Sequence, residues 1–418
     1  MKKFLPNTMK FTALLLFSAI LSGCLKDKIT KTYTILRPVY QEKSVVLANV
    51  KSNTPQLLKS PGKIYIFGKY IFLNEMNKGV HVYDNSNPSQ PRSVAFIDIP
   101  GNIDIAVKGN TLYADLYTEL LAIDISDPLQ AKLVKTIPQV FPERQYSNGF
   151  FADSSKVIVD WIKKDTTINI DTEQGPIWNR ECRNCLMSAD AGAMNKGTQV
   201  PGIGGSMARF AIVNDYLYAV NYHSLGVLDI SNTLDPKKLG VSNVGSNIET
   251  IYPFKDKLFI GSSNGMFIYD ITNPMTPSRK GSFSHANACD PVVADDDYAF
   301  VTLRTGNFCM GVSNQLDVIN VKNVLSPSLV KTYSMSNPHG LAKDGDLLFI
   351  CDGREGLKLY NASDVNNIKL ITQFKGIDAF DVIAWNKRLL LVASNGLYQL
   401  DYSNPQELKL ISTIAINR

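Results

Sequence analysis

The sequence predicts an all-β protein, a β-propeller of four-stranded blades. Three observations carry this. An apolar strand ending in Asp or Asn, followed by a polar turn that often contains Pro, recurs along the 418 residues. The copies recur at about 40 residues, the period of a propeller blade. Within each period four short strands fit, and no stretch shows the periodicity of an amphipathic helix. Apolar content of 44% with 19% charged residues marks a globular chain, and 18 Tyr and 19 Phe favour strands.

The repeat reads as "GVHVYDNSNP" (Gly79–Pro88), "LLAIDISDP" (Leu120–Pro128), "LGVLDISNTLDP" (Leu225–Pro236) and "MFIYDITNP" (Met266–Pro274). Weaker copies are "LDVINVKNVLSP", "LKLYNASDV" and "LYQLDYSNP". The aligned residues are Asp84, Asp124, Asp229, Asp270, Asn320, Asn361 and Asp401, spaced by 40, 105, 41, 50, 41 and 40. Upstream of each lies a tight polar turn between two strands, as in "FAIVNDYLYAVNY" and "LAKDGDLLFICD". Such turns suit hairpins. Each unit is therefore strand A, tight turn, strand B, strand C, Pro turn, strand D. Seven units are counted. An open solenoid is the alternative, and it would leave edges exposed that a ring hides. Asp or Asn at the end of strand C accepts hydrogen bonds from following backbone N–H groups and sets the turn. Because every unit has one, the expected role is structural.

The large spacing marks an insertion at 140–205. Part of it, "NGFFADSSKVIVDWI" (Asn148–Ile162), reads as another hairpin, so an eighth, degenerate blade stays open. The propeller is assigned to residues 61–418, with 24–60 as a polar tether and lead-in. Residues 1–23 read as a signal peptide: Lys2, Lys3 and Lys10 precede the apolar "FTALLLFSAI". The segment ends in "LSGC" (Leu21–Cys24), which resembles the bacterial lipobox and implies lipidation of Cys24. An ordinary signal peptide with an incidental Cys is the alternative. Leu25 is unlike the Asp that retains lipoproteins in the inner membrane, so the expected address is the outer membrane, facing the periplasm or the cell surface. Removing residues 1–23 leaves 40 Lys and Arg against 38 Asp and Glu, a charge of +2. No clustered basic face argues for nucleic acid.

The copies "AIDIS", "VLDIS" and "IYDIT" resemble the LVIVD repeat of bacterial and archaeal β-propellers. "MARFAIVNDYLYAV" and "CDPVVADDDYAFVTLRTG" are similar to its form in Bacteroidetes lipoproteins. The resemblance covers the chain from about Pro61 onward. It implies the fold and carries no catalytic motif.

Propellers bind at the face made by the D–A connections, the B–C loops and the starts of strand A. The candidate rim residues are Asp104, Arg209, Glu249, Asp290, His339 and Asp381, which differ in chemistry between blades. A solvated channel rim is the structural alternative. The insertion should share this face. Its Trp161 and Trp178 could stack on a sugar or anchor a protein, or simply pack the loop. "CRNC" (Cys182, Cys185) lacks the further ligands zinc needs and the His that haem attachment needs, which leaves a local disulfide. Cys289 and Cys309 are placed on one face of one blade as a candidate disulfide, and Cys351 in "LLFICD" as a buried free thiol. His81 alternates along strand C as a structural residue. "ADDDY" (Ala294–Tyr298) is read as a hairpin turn rather than a calcium run. No cofactor or metal is expected. The expected activity is non-catalytic binding or scaffolding of a protein or glycan. The alternative is a secreted hydrolase or lyase acting on a polysaccharide through channel carboxylates and His339, which rests on fold analogy alone.

Overall fold

The computed structural model describes residues 29–142, 155–170, 205–285, 291–305 and 313–416. Residues 38–142, 155–160 and the described residues from 205 onward belong to one compact unit; residues 29–37 with 161–170 belong to another. The first unit holds seven blades of four consecutive strands each, six of them four-stranded sheets and one a sheet that gains a fifth strand. Blade 1 runs Pro61–Phe67, Tyr70–Glu75, Gly79–Asp84 and Arg92–Asp98. Blades 2 to 7 begin at Ile105, Phe210, Ile248, Val292, Leu341 and Ala379. The blade count and the four-strand unit are as the repeat predicts.

Burial follows strand order. Strand B of blade 2 (Thr111–Leu116) is buried at every position, whereas strand D of blade 3 (Lys237–Asn243) is almost wholly exposed. Inner strands are covered on both faces by neighbouring blades, so they read as continuous apolar runs. The core is accordingly divided into layers between blades. One cluster joins Leu225, Val227 and Tyr218 of blade 3 to Ile251, Leu258 and Ile260 of blade 4. Another joins Ile383, Leu390 and Val392 of blade 7 to Ile64, Ile71 and Leu73 of blade 1, closing the ring.

The strand C landmark acts as predicted in all seven blades. Asp84, Asp124, Asp229, Asp270, Asn320, Asn361 and Asp401 each accept the N–H two residues on, at 2.7–3.0 Å. The Asn or Asp three residues after each landmark does the same, at 3.0–3.3 Å. The N–H directly after the landmark donates to the A–B hairpin of its own blade, as Ile125 does to Asn110 O at 2.8 Å and Ile230 to Asp215 O at 2.8 Å. The device thus ends strand C, shapes the turn and docks it on the hairpin. Hydrogen bonds from Ser86 hold the Asp84 carboxyl down to about 2, and those from Ser126, Ser231, Thr272 and Ser403 lower Asp124, Asp229, Asp270 and Asp401.

Neighbouring blades grip the same turns. The Tyr113 hydroxyl of blade 2 donates to Thr233 O of blade 3 at 2.8 Å, Tyr218 of blade 3 to Pro274 O of blade 4 at 2.9 Å, and Tyr333 of blade 5 to Val365 O of blade 6 at 2.8 Å. At ring closure Gln399 of blade 7 takes this part. It donates to Pro88 O at 3.1 Å and exchanges hydrogen bonds with Asn85 at 2.8 and 3.1 Å.

Two expectations change. The end of the stretch considered as an eighth blade, residues 156–162, belongs to the strand Lys156–Ile170, which pairs instead with Ile29–Glu42 in a two-stranded sheet. Its backbone is therefore paired by a strand from the N-terminal end. The lead-in is also more than a tether. It forms the helix Lys43–Ala48, then Ser52–Asn53 adds a fifth strand to the outer edge of blade 1. Lys51 bridges Lys132 of blade 2, and Leu133 N–H donates to Val50 O at 3.1 Å. Residues 50–53 thereby staple the outer edges of blades 1 and 2.

Asp124→Ala removes one exposed turn-setting bond and should lower stability by about 1 kcal/mol. Asp124→Asn should cost much less, because Asn320 and Asn361 already make that bond. A depressed carboxylate adds stability above its unfolded value, roughly 4, and loses it as pH falls through the folded value. The advantage of Asp124 over Asn should therefore be present at neutral pH and vanish in strong acid. Urea unfolding at pH 7 and pH 2.5 checks both statements.

Candidate functional site at the channel

The strands nearest the channel are the A strands, and the segment leading into blade 3 lies across them. Met207 O accepts the Lys63 ammonium of blade 1 at 2.7 Å. The Arg209 and Phe210 N–H groups donate to the Asp104 carboxylate of blade 2 at 2.5 and 3.1 Å. Ala208 O accepts Ile251 N–H of blade 4 at 2.7 Å. Ser206 Oγ accepts Leu341 N–H of blade 6 at 2.7 Å. Gly205 lies against Asp381 of blade 7, where a Cβ would fall 2.3 Å from a carboxylate oxygen. Residues 205–210 are thus a crossbar tied to blades 1, 2, 4, 6 and 7. The space left beside it, lined by Ser206, Tyr252, Val293, Leu341 and Val382 among others, is about 20 Å³, little more than one water needs.

The crossbar explains the burial of the rim. Asp104 is 2% exposed and Asp381 3%. Burial pushes the Asp104 carboxyl up, against the pull of Lys63 and of the Arg209 and Ile105 N–H groups. His339 is also buried. Its backbone N–H donates to Cys351 O at 2.7 Å, its carbonyl accepts the Thr302 hydroxyl at 2.6 Å, and Nε2 lies 3.1 Å from Asn337 Nδ2. Phe380 meets the ring edge-on at 5.2 Å. Burial, and then the Arg304 charge, push His339 down to about 3, so it is neutral at physiological pH.

Arg209, Glu249 and Arg304 are half-buried. Arg209 and Glu249 both act electrostatically on Tyr222, whose hydroxyl burial raises. The structure therefore sorts the predicted rim into two parts. Asp104 and Asp381 are tied into the crossbar, whereas Arg209 and Glu249 form a polar group with Tyr222. Asp290 lies outside the described residues, as do Cys24, Trp178, Cys182, Cys185, Cys289 and Cys309. Trp161 is half-buried in the strand Lys156–Ile170.

Loop positions on this face are held by carboxylates at the ends of strand B. Glu75 accepts the Lys59 and Ser60 N–H groups, Asp115 those of Ile103 and Asp104, and Asp352 those of Ser336 and Asn337. Glu75 also meets His81 Nε2 at 3.0 Å, which gives that histidine its structural role. Burial raises the Glu75 carboxyl, but the His81, Lys59 and Ser60 hydrogen bonds outweigh it and leave it lowered. Cys351 is a buried free thiol, as expected. "ADDDY" is the expected turn, with Asp295 accepting the N–H groups of Asp297 and Tyr298. Among the described residues no cluster of His, Cys, Asp and Glu could hold a metal.

Sequence reasoning missed Lys63 and residues 205–208. A lysine in the otherwise apolar strand "PGKIYIF" was the available signal for the first. The crossbar bonds mostly through main-chain atoms, which leave no signature in a sequence.

Ser206→Ala would leave Leu341 N–H unpaired in the interior and should cost about 1–3 kcal/mol, far more than a surface-loop serine would. Chemical denaturation measures it. For His339 the folded value lies below the unfolded one of about 6.5, so the unfolded chain binds the extra proton between pH 3 and 6.5. Stability should rise with pH across that window. His339→Gln should flatten the slope, as read from melting temperature against pH.

Comparison with known proteins identifies the repeat in part of the chain. The LVIVD repeat model matches residues 61–97, 102–137, 204–239 and 257–285, which fall in blades 1 to 4. No curated sequence matches. Similar solved structures include a protein from Lactobacillus plantarum (13% identity, 85% of this chain and 98% of that one, TM-score 0.55). The periplasmic gluconolactonase PpgL of Pseudomonas aeruginosa is similar at 10% identity, 85% and 98% coverage and TM-score 0.53. The computationally designed protein Ika8 is similar at 10% identity, 85% and 89% coverage and TM-score 0.50. At such identities the likeness is one of fold. The chain thus carries LVIVD repeats in blades 1 to 4, and its sheets form a seven-bladed β-propeller.

Proposed function

We propose that this protein is a lipid-anchored propeller of the bacterial cell envelope, attached through Cys24 to the outer membrane, and that it serves as a non-catalytic binding or scaffold module for a protein or glycan. The observation that carries the non-catalytic reading is the crossbar. A polysaccharide hydrolase working in the channel needs accessible carboxylates and a proton donor. Asp104 is engaged by backbone N–H groups of the crossbar, and Asp381 lies packed between Gly205 and Gly340. His339, held to about 3, has no proton to give at neutral pH. The polar group of Arg209, Tyr222 and Glu249 remains as a contact surface. The anchoring part rests on "LSGC" and the basic and apolar segments before it.

Two experiments test this. Metabolic labelling with palmitate should mark the wild type and not Cys24→Ser; equal labelling would refute the anchor. Affinity capture from envelope extract should yield a partner that is lost with Arg209→Glu/Glu249→Arg. Glycan-cleaving activity that disappears in His339→Ala would refute the binding reading in favour of the hydrolase.

A further inference from the structure

A second concavity lies apart from the channel, where the lead-in crosses blade 1. Its volume is about 230 Å³. Three stretches distant in sequence build it: Gln41, Asn49 and Gln56 from the lead-in, Lys78 and Asp98 from blade 1, and Val159 from the insertion.

Its walls are set by the protein itself. Asn49 Nδ2 donates to Asp98 Oδ2 at 2.9 Å. The Lys78 ammonium donates to Val159 O at 3.3 Å and Asp160 Oδ1 at 2.9 Å. Lys43 N–H at the start of the helix donates to Ser155 O at 2.9 Å, and the Tyr117 hydroxyl to Ile158 O at 2.9 Å. These bonds hold the lead-in and the insertion on either side of the space. Gln41 and Gln56 are exposed, which leaves the concavity open to solvent.

The lining chemistry selects an occupant. Gln41 and Gln56 each offer donors and an acceptor, Asn49 spends one N–H on Asp98 and keeps its other N–H and its oxygen, and a carboxylate offers acceptors only; Val46, Phe96, Pro100 and Val159 add apolar surface that suits the C–H face of a ring. A hydroxyl both donates and accepts, so adjacent hydroxyls match this set. Burial pushes the Asp98 carboxyl up, although the Asn49 hydrogen bond and the Lys78 charge act the other way. The space is smaller than a drug-sized pocket of roughly 300–1,000 Å³ and suits one six-membered ring.

We propose that the concavity bounded by Gln41, Asn49, Gln56, Lys78 and Asp98 binds a single neutral sugar ring. Hydroxyls of the ring donate to Asp98 and exchange hydrogen bonds with the amides, and Lys78 donates to a ring or hydroxyl oxygen. The site is independent of the channel face and of the function proposed for it.

Saturation-transfer NMR on the intact chain tests this with glucose, galactose, mannose and N-acetylglucosamine, each free and as its methyl glycoside. At least one should receive saturation at millimolar concentration. Acceptance of the glycosides identifies the terminus of a glycan as the ligand, and their rejection a free sugar. Asp98→Ala should weaken binding roughly tenfold through loss of a charge-assisted bond. Gln56→Ala, an exposed change that leaves the fold intact, should weaken it severalfold and decides the matter if Asp98→Ala does not fold. No transfer from any sugar, binding unaltered by Gln56→Ala, or binding of alanine or glutamate in place of the sugars would overturn the proposal.

Discussion

The molecule depends on one short-range interaction made seven times: an Asp or Asn side chain at the end of strand C accepting the N–H two residues ahead. That bond turns the chain out of strand C. The next N–H then reaches the A–B hairpin, and the carbonyls of the turn become available to the neighbouring blade. Tyr113, Tyr218, Tyr333 and Gln399 use those carbonyls or others like them. A local turn thus organises the blade and also presents the surface by which blades recognise each other. Apolar layers between the sheets supply the bulk of the attraction, but attraction of that kind has no direction. The polar turns set register and spacing.

The crossbar adds a second level of order. Ring closure through Gln399 and Asn85 acts at the outer side of the blades, whereas residues 205–210 link five blades from the channel side. The most buried carboxylates of the predicted rim serve this link. Position on the binding face of a propeller is therefore no guarantee of a binding role. A buried polar residue there must first be asked which main-chain groups it satisfies. Asp104 answers that question fully, whereas Arg209 and Glu249, half-buried, keep surface to offer.

What could be read from the sequence divides along the same physical line. The landmark residues were legible because the turn needs a short side-chain acceptor, so Asp or Asn must recur. Blades 5 to 7 lie beyond the LVIVD matches, yet Asn320, Asn361 and Asp401 make the same bond as Asp124. The burial of Cys351 and the turn at Asp295 were legible for the same reason, local pattern. The crossbar was not, because Met207 O and the Arg209 and Phe210 N–H groups belong to the main chain. Nor was the pairing of Ile29–Glu42 with Lys156–Ile170, two strands far apart in sequence whose alternation suits many partners. The concavity at Asp98 draws on three such stretches and has no linear motif.

The side-chain lock at Gln399 has a consequence for synthesis. Many rings of sheets could be sealed by lending a strand from one chain end to the other, but here every blade consists of consecutive strands. Each sheet can therefore complete itself as it leaves the ribosome, from contacts close in sequence. The bonds of Ser206 to Leu341, the packing of Gly205 on Asp381, the exchange between Asn85 and Gln399 and the apolar layer between blades 7 and 1 must wait for blades 6 and 7. A nascent chain ending before them is a row of finished sheets, and the last two blades turn that row into a ring.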